Sequence, residues 1–273
     1  MKLTMTLQGE HYAVDVNDPI SLAIPVHFNG QQPNHFGVPE AKERAIKEGD
    51  FVGDTREGGS CNVSEITFIP HCNGTHTESI GHIVDEKQGV AEVINNGLMP
   101  AALISVSPKA QCDVDEQYRP APETKDCLIT RQAIEQALQH YNNTQLQAVV
   151  IRTLSHQDEK LTAKYGDGID PPFLSIDAID YLVSRGVQHL IVDIPSVDKM
   201  YDEGLLTVHH RFWQVEEETH HLHPDSAVHR TITEMVYIAD EVADGFYLLD
   251  LQVPAFMSDA APSKPLLYRL EKL

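Results

Sequence analysis

Residues 70–82 read PHCNGTHTESIGH, with three histidines, a cysteine and a glutamate among thirteen positions. Imidazole nitrogens and carboxylate oxygens are donors that zinc and manganese accept, at roughly 2.0–2.2 Å for zinc. Gly74 permits the tight turn that would bring His71 and His76 together, with the Glu78 carboxylate two residues further on. His82, beyond another glycine, is spaced to act as general base or acid on water at such an ion. Convergent imidazole and carboxylate groups are costly to hold together without a ligand, so the stretch reads as a site and not as surface polarity. HExxH and GxSxG patterns are absent, which argues against a zincin-type protease and an ordinary α/β-hydrolase.

Something must position these groups. Apolar, β-branched runs recur as strand candidates: EITFIP (65–70), AALISV (101–106), QAVVIRTL (147–154), HLIVDIPSV (189–197), TITEMVYIA (231–239) and YLLDLQVPAF (247–256). Several are too continuously apolar for a sheet wetted on one face. EITFIP would deliver its end into the histidine-rich stretch, at a sheet edge where ligand sites of α/β proteins lie. Helical spacing is read in AKERAIKEG (41–49), in TRQAIEQALQHY (130–141) with Thr130 as cap, and in SIDAIDYLVSRG (175–186). In the last, Ser175 caps the stripe Ile176, Ile179, Leu182 and Val183, and Gly186 ends it. The expected class is α/β or α+β, a mixed β-sheet core with flanking helices in one domain spanning 1–273.

The 273 residues carry 41 acidic against 20 basic side chains, a formal charge of −21. That charge repels phosphates, so nucleic acid and anionic membrane surfaces are not expected partners. No apolar run approaches the roughly 20 residues of a membrane span, and no targeting segment is read, so the cytoplasm is the expected compartment. The four cysteines lack CxxC spacing and read as reduced thiols. Six of the fifteen histidines fall between 209 and 229. Glu234 stands among Ile232, Met235 and Val236, and a carboxylate in such company needs a partner. The segments 117–126 and 216–229 read as the least structured.

The string GTHTESIGH resembles the signature His-x-Gly-Thr-His-x-Asp-x-Pro-x-His of the metal-dependent cyclase, or bacterial kynurenine formamidase, family. His76 stands at the second histidine, Glu78 at the aspartate and His82 at the last histidine. Ungapped counting puts Cys72 at the first histidine, and a one-residue bulge puts His71 there; His71 is favoured, although a Cys72 thiolate would also bind zinc. Ile80 replaces the proline. The resemblance covers most of the chain, through VGDT at 52–55, VVIRT at 149–153, the helix and strand of 175–198, and the closing LLDLQVPAFMSDAAPSKPLLYRL. Asp54, Asp193 and Asp198 lie in these segments, where turn and capping roles compete with shaping the site.

The resemblance implies a His-His pair and a strand glutamate that complete a two-metal site. His209 is then the second group's histidine, with His210 its neighbour, and Glu234 the glutamate. An insertion at 211–229 separates them, and His223 stands nearer the family's spacing from Glu234. The ligand set implied is His71, His76 and Glu78 for one ion and His209 with Glu234 for another, of zinc or manganese, with His82 moving protons. The implied activity is hydrolysis of a C–N bond in an amide, formamide or cyclic amide such as N-formylkynurenine. Ring opening of a lactone or isatin, and a non-catalytic metal-binding role, stand as alternatives. The expected partners are a small-molecule substrate and further copies of the chain, as a homodimer or homotetramer.

Overall fold

Four continuously apolar runs become the parallel centre of a nine-stranded mixed sheet. The computed structural model describes residues 1–7, 9–94, 97–154, 158–166, 168 and 170–273. In chain order the sheet strands are β1 (Ile20–Ser21), β2 (His76–Ser79), β3 (Leu98–Val106), β4 (Ala148–Thr153), β5 (His189–Val192), β6 (Thr231–Glu234), β7 (Gly245–Asp250), β8 (Ala260–Pro262) and β9 (Leu266–Arg269). Their order across the sheet is β8-β2-β6-β5-β4-β3-β7-β9-β1. Strands β3, β4, β5 and β6 are mutually parallel, and the strands outside them run antiparallel. Every residue of β4, β5 and β6 is buried, which is why these runs do not alternate with polar residues.

Successive residues of β3 feed opposite faces. Ala102 and Ile104 join the core beneath the helices, and Ala101 and Leu103 join Leu22, Val150, Ile191 and Leu249 on the other side. Besides the single turn Val90–Val93, the helices are α1 (Pro70–Asn73), α2 (Arg131–Leu138), α3 (Ile176–Ser184) and α4 (Thr207–Trp213). Thr130 and Ser175 cap α2 and α3 as their sequences require, and Gly186 takes φ +79° just past α3. Ile134, Leu138, Ile179, Leu182, Phe212 and Trp213 bury the helices' inner faces.

Two expected elements take other forms. AKERAIKEG is not a helix: it forms the short strands Lys42–Ala45 and Lys47–Glu48. Ala41 is its one buried residue, so a helix there has no apolar face to dock, and pairing decides instead. Lys42–Ala45 pairs antiparallel with Ser64–Thr67, with Arg44 Nη2 2.7 Å from Glu65 Oε2. EITFIP is consequently an exposed ribbon strand outside the large sheet, and its last residue opens α1. The chain therefore enters the histidine-rich stretch through a helical turn. TITEMVYIA also ends early as a strand, since Met235 adopts φ +55° immediately after Glu234.

The 216–229 segment is built of turns and bends. His221 and His223 are exposed, whereas His220 docks: its Nδ1 is 2.9 Å from the Ile83 carbonyl, and its own carbonyl accepts from Asp85 N–H. The insertion thus lies against the turn that follows His82. No helix among the described residues is long and apolar enough to cross a membrane.

His189, buried at the start of β5, shares a 2.8 Å hydrogen bond between Nδ1 and Thr231 Oγ1. Burial, with a smaller push from His229, lowers its pKa from 6.5 to about 4. Between these values the unfolded chain takes up a proton that the folded chain refuses, so stability falls as pH drops from about 6.5 toward about 4. Urea denaturation at about pH 7.5 and about pH 5 should show His189→Asn losing less stability than the parent, by on the order of 2 kcal/mol at the lower pH. Equal losses in the two proteins would contradict this assignment.

Candidate metal centre and active site

Strand register builds the buried floor of the site. Strand β2 lies between β6 and β8, with His76 opposite both Glu234 and Pro262, and Glu78 opposite both Ile232 and Ala260. Directly opposed residues share a sheet face, so His76, Glu78 and Glu234 converge on one side. Thr77 and Thr233 point to the other, where their hydroxyls meet at 2.7 Å. Glu234 sits at the C-terminal end of a parallel strand, where open α/β sheets place their ligands. Its Oε1 accepts from the backbone N–H of Val197 at 2.8 Å, which fixes the carboxylate from the loop after β5.

Three elements bring the remaining groups. Helix α1 carries His71 and ends at Gly74, whose φ of +155° turns the chain into β2. A side chain there would meet Val26 Cγ2 at 3.0 Å. His76 Nδ1 donates to the Gly74 carbonyl at 3.0 Å, which leaves Nε2 as the ring's free donor atom. Ser79 caps the turn Ile80–His82 through a contact with Gly81 N–H, and that turn folds His82 back over Glu78. Helix α4 supplies His209, whose Nε2 stands 2.8 Å from Glu78 Oε1 and 3.8 Å from Glu234 Oε1.

The groups are layered by depth. His76, Glu78, Glu234 and His209 are buried, whereas His71, His82 and Asp259 form a half-buried mouth. His71 Nε2 is 3.1 Å from Asp259 Oδ2 and 3.5 Å from Glu78 Oε2. His82 Nδ1 is 3.5 Å from Asp259 Oδ2, and its Nε2 is 3.9 Å from Glu78 Oε2. Donor atoms within 4.8 Å of one another form three overlapping groups: His76 with Glu78 and Glu234, Glu78 with His82 and His209, and His71 with His82 and Asp259. All six residues expected as ligands or proton carrier therefore meet in space, although these groupings cut across the division into ligands and base.

Charge compensation explains how so many ionisable groups share this volume. Burial opposes ionisation of Glu78, but His82, His209 and His71 around it hold its pKa well below the usual carboxylate range. Burial likewise opposes charge on His209, and Glu78 with Asp198 raises its pKa well above 6.5. The His71 and His82 imidazoles beside Asp259 lower its pKa. Protons on histidine thus balance the carboxylates, and a divalent cation would balance them in the same place by displacing those protons. The donor set fits such an ion: His71 Nε2, His76 Nε2 and Glu78 Oε2 are buried atoms without a hydrogen-bond partner among the described residues. Nitrogen and oxygen donors of this kind suit zinc or manganese.

The alternatives separate. Cys72 belongs to none of the three groups, and burial, helped by the Glu234 charge, pushes its thiol up to about 11. His210 is buried but stands outside the groups, and His223 is exposed beside Asp225 at 3.7 Å. Asp54 is a turn residue: it caps Thr55–Glu57 and pairs with Arg56. Asp193 accepts from Thr153 N–H and Oγ1 and pairs with Lys160, away from the donor groups. Trp213 and Phe212 are fully buried core residues.

Two further carboxylates hold the histidines of the cluster: Asp198, for which the sequence leaves site-shaping and turn roles open, and Asp259, which the sequence reading does not single out. Asp198 accepts from His209 Nδ1, from the backbone N–H groups of Val208 and His209 at 2.7 and 3.1 Å, and from the Tyr118 hydroxyl. It holds the imidazole so that Nε2 faces the cluster. Asp259 joins His71 to His82 from the start of the edge strand β8. No local signal decides either role, because each comes from a partner more than ten residues away.

Residues 2–199 match the Cyclase family. The kynurenine formamidase of Bacillus cytotoxicus is 26% identical over 256 residues, covering 93% of this chain and 96% of that protein. That of Bacillus thuringiensis subsp. konkukian is 27% identical over 248 residues, covering 90% and 91%. Among solved structures, an isatin hydrolase bound to the product analogue thioisatinate superposes with a TM-score of 0.62 at 14% identity, covering 92% of each chain. A protein of Bacillus stearothermophilus described as a predicted metal-dependent hydrolase gives 0.58 at 18% identity, covering 92% of this chain and 98% of that one. At these identities the structural likeness speaks to fold.

Two substitutions test the donor assignment. Removing the carboxylate behind a metal-binding histidine typically costs about 10- to 100-fold in affinity. Zinc titration against a competing chelator should show that loss for Asp198→Asn. Cys72→Ala should bind zinc as the parent does, and loss of zinc in that variant would make the thiol the donor.

Proposed function

The chain belongs to the Cyclase family, and on that premise we propose that it is a metal-dependent hydrolase of a C–N bond in an amide, formamide or cyclic amide. The observation that carries this reading is the convergence of His71 Nε2, His76 Nε2 and Glu78 Oε2, three buried donor atoms that make no hydrogen bond among the described residues, with ion-pair partners at 3.1 to 3.9 Å only. His71, His76 and Glu78 would hold one divalent ion, zinc or manganese, and His209 with Glu234 would hold a second. Bound there, the metal supplies a Lewis acid for the substrate carbonyl and lowers the pKa of water.

The protein's own groups do the rest. Glu78 offers Oε1 toward His209 and Oε2 toward His71 and His82, so a single carboxylate spans the two halves of the site. Asp198 and the α4 backbone keep His209 in one orientation, which removes a reorganisation cost at the moment of reaction. His82 is half-buried at the mouth, reaching the cluster through Nε2 and Asp259 through Nδ1. Its position suits a proton carrier: Nε2 takes a proton from water and returns it to the leaving nitrogen, while Asp259 holds the ring. The activities named for the bacterial relatives, and the isatin hydrolase fold, support amides borne on aromatic rings as the first substrates to try.

The test pairs metal content with turnover. Elemental analysis of protein purified without chelator should find zinc or manganese, reduced or absent in Glu78→Ala. His82→Ala should keep the parent's metal and lose about 10²- to 10⁴-fold in kcat on an N-formyl aromatic amide. Full turnover by His82→Ala would remove the proton-carrier role. Metal without turnover in the parent, across formyl and cyclic amides, would leave a metal-binding protein.

A further inference from the structure

The loop QPNHFGVP at 32–39 contributes none of the groups described so far, yet its backbone is fixed beside them on two sides. Asn34 N–H donates to the Ala163 carbonyl and Tyr165 N–H to the Asn34 carbonyl, both at 2.9 Å. His35 N–H donates at 3.0 Å to the carbonyl of Cys72, the residue after His71. Gln32, fully buried, accepts from Ala41 N–H at 2.7 Å and donates to the Ala41 carbonyl at 3.1 Å. The loop is therefore seated on α1. Tyr165, against which the His35 ring stands edge-on at 6.3 Å, packs in one cluster with Met235, the neighbour of Glu234.

Inside this tightly bonded loop the His35 imidazole is an exception. It is 3% exposed, and neither ring nitrogen has a hydrogen-bond partner among the described residues. A neutral imidazole offers one donor and one acceptor, and burying both unpaired costs stability that an apolar ring of the same shape would not. Burial lowers its pKa to about 4, with His76 pushing the same way, so the ring is neutral at neutral pH and near enough to feel the donor groups. His35 belongs to none of the three donor groups. A role as metal donor is thereby disfavoured.

The two residues that follow are equally unusual. Phe36 and Gly37 take φ of +61° and +62°, and the left-handed region is strained for a bulky side chain. The conformation lays the Phe36 ring 3.8 Å from that of His35 and 6.4 Å from Tyr201, with both aromatic rings more than half exposed. Apolar rings thus stand at the rim of a buried polar group that no described residue satisfies.

We propose that His35 is a substrate-binding residue, whose ring exchanges a hydrogen bond with a polar group of the bound amide beneath Phe36 and Tyr201. This inference rests on the hydrolase reading above. A site built to hydrogen-bond its ligand discriminates by leaving a buried group unpaired when the ligand lacks the partner, and His35 has that character.

The experiment compares His35→Phe and His35→Gln with the parent, all metal-loaded, on the N-formyl aromatic amide formanilide. His35→Phe should keep full metal content, melt no lower than the parent, and lose about 10- to 100-fold in kcat/KM, mostly through KM. His35→Gln, which retains a donor and an acceptor, should recover part of the loss. Loss of metal would make His35 a ligand, a lower melting temperature would make it structural, and unchanged kcat/KM would remove it from the substrate; each overturns the proposal. Should the parent hydrolyse no amide, the proposed function fails by itself. His35 is then judged by equilibrium binding of formanilide to metal-loaded protein, where weaker binding by His35→Phe supports the proposal, and equal affinity, or none in either protein, overturns it.

Discussion

The structure depends on a buried carboxylate. Glu78 is 1% exposed in the middle of a sheet face, and a charge in that position is untenable unless other groups answer it. His209, His82 and His71 answer it directly. His209 is answered by Asp198, and Asp198 by the Tyr118 hydroxyl and the first N–H groups of α4. Tyr118 in turn accepts from Lys199 N–H. Each group that compensates one charge is itself fixed by the next, until the network ends in backbone. A metal ion would enter a framework already ordered around its charge.

That ordering rests on register. In β2 His76 and Glu78 occupy alternate positions and in β6 Glu234 lies on the same face, so a one-residue slip of either strand would send its ligand-type residues to the far side of the sheet. The hydroxyl pair of Thr77 and Thr233 on that far side, and the burial of every residue in both strands, hold the alignment. Parallel strands β4 and β5 supply a rigid wall behind it. The loop after β5 can therefore deliver both Val197, to Glu234, and Asp198, to His209.

The departures from the family signature have physical consequences. The glutamate at 78, one methylene longer than aspartate, reaches His209 with one oxygen and lies within 4 Å of His71 and His82 with the other. Ile80 at the proline position is fully buried in the helix-side core, and the turn it begins is shaped by the Ser79 cap instead of a fixed proline φ. The turn still presents His82 to the cluster.

The sequence by itself determined the elements whose causes are local. Thr130 and Ser175 capped their helices, Gly186 closed one, and the apolar runs of β3, β4 and β5 were strands because only a sheet covered on both faces absorbs them. The grouping of His71, His76, Glu78 and His82 was legible because thirteen residues hold them all. His209 and Glu234 came from resemblance, since the 211–229 insertion obscures their spacing. Tertiary structure alone decided that 41–49 is a ribbon strand, because helical spacing there had no buried face to serve, and that His71 and not Cys72 faces the cluster. It also decided the role of Asp198 and supplied Asp259 and His35, whose surroundings are made by residues distant in the chain, and burial and missing partners are properties that no run of neighbouring letters encodes.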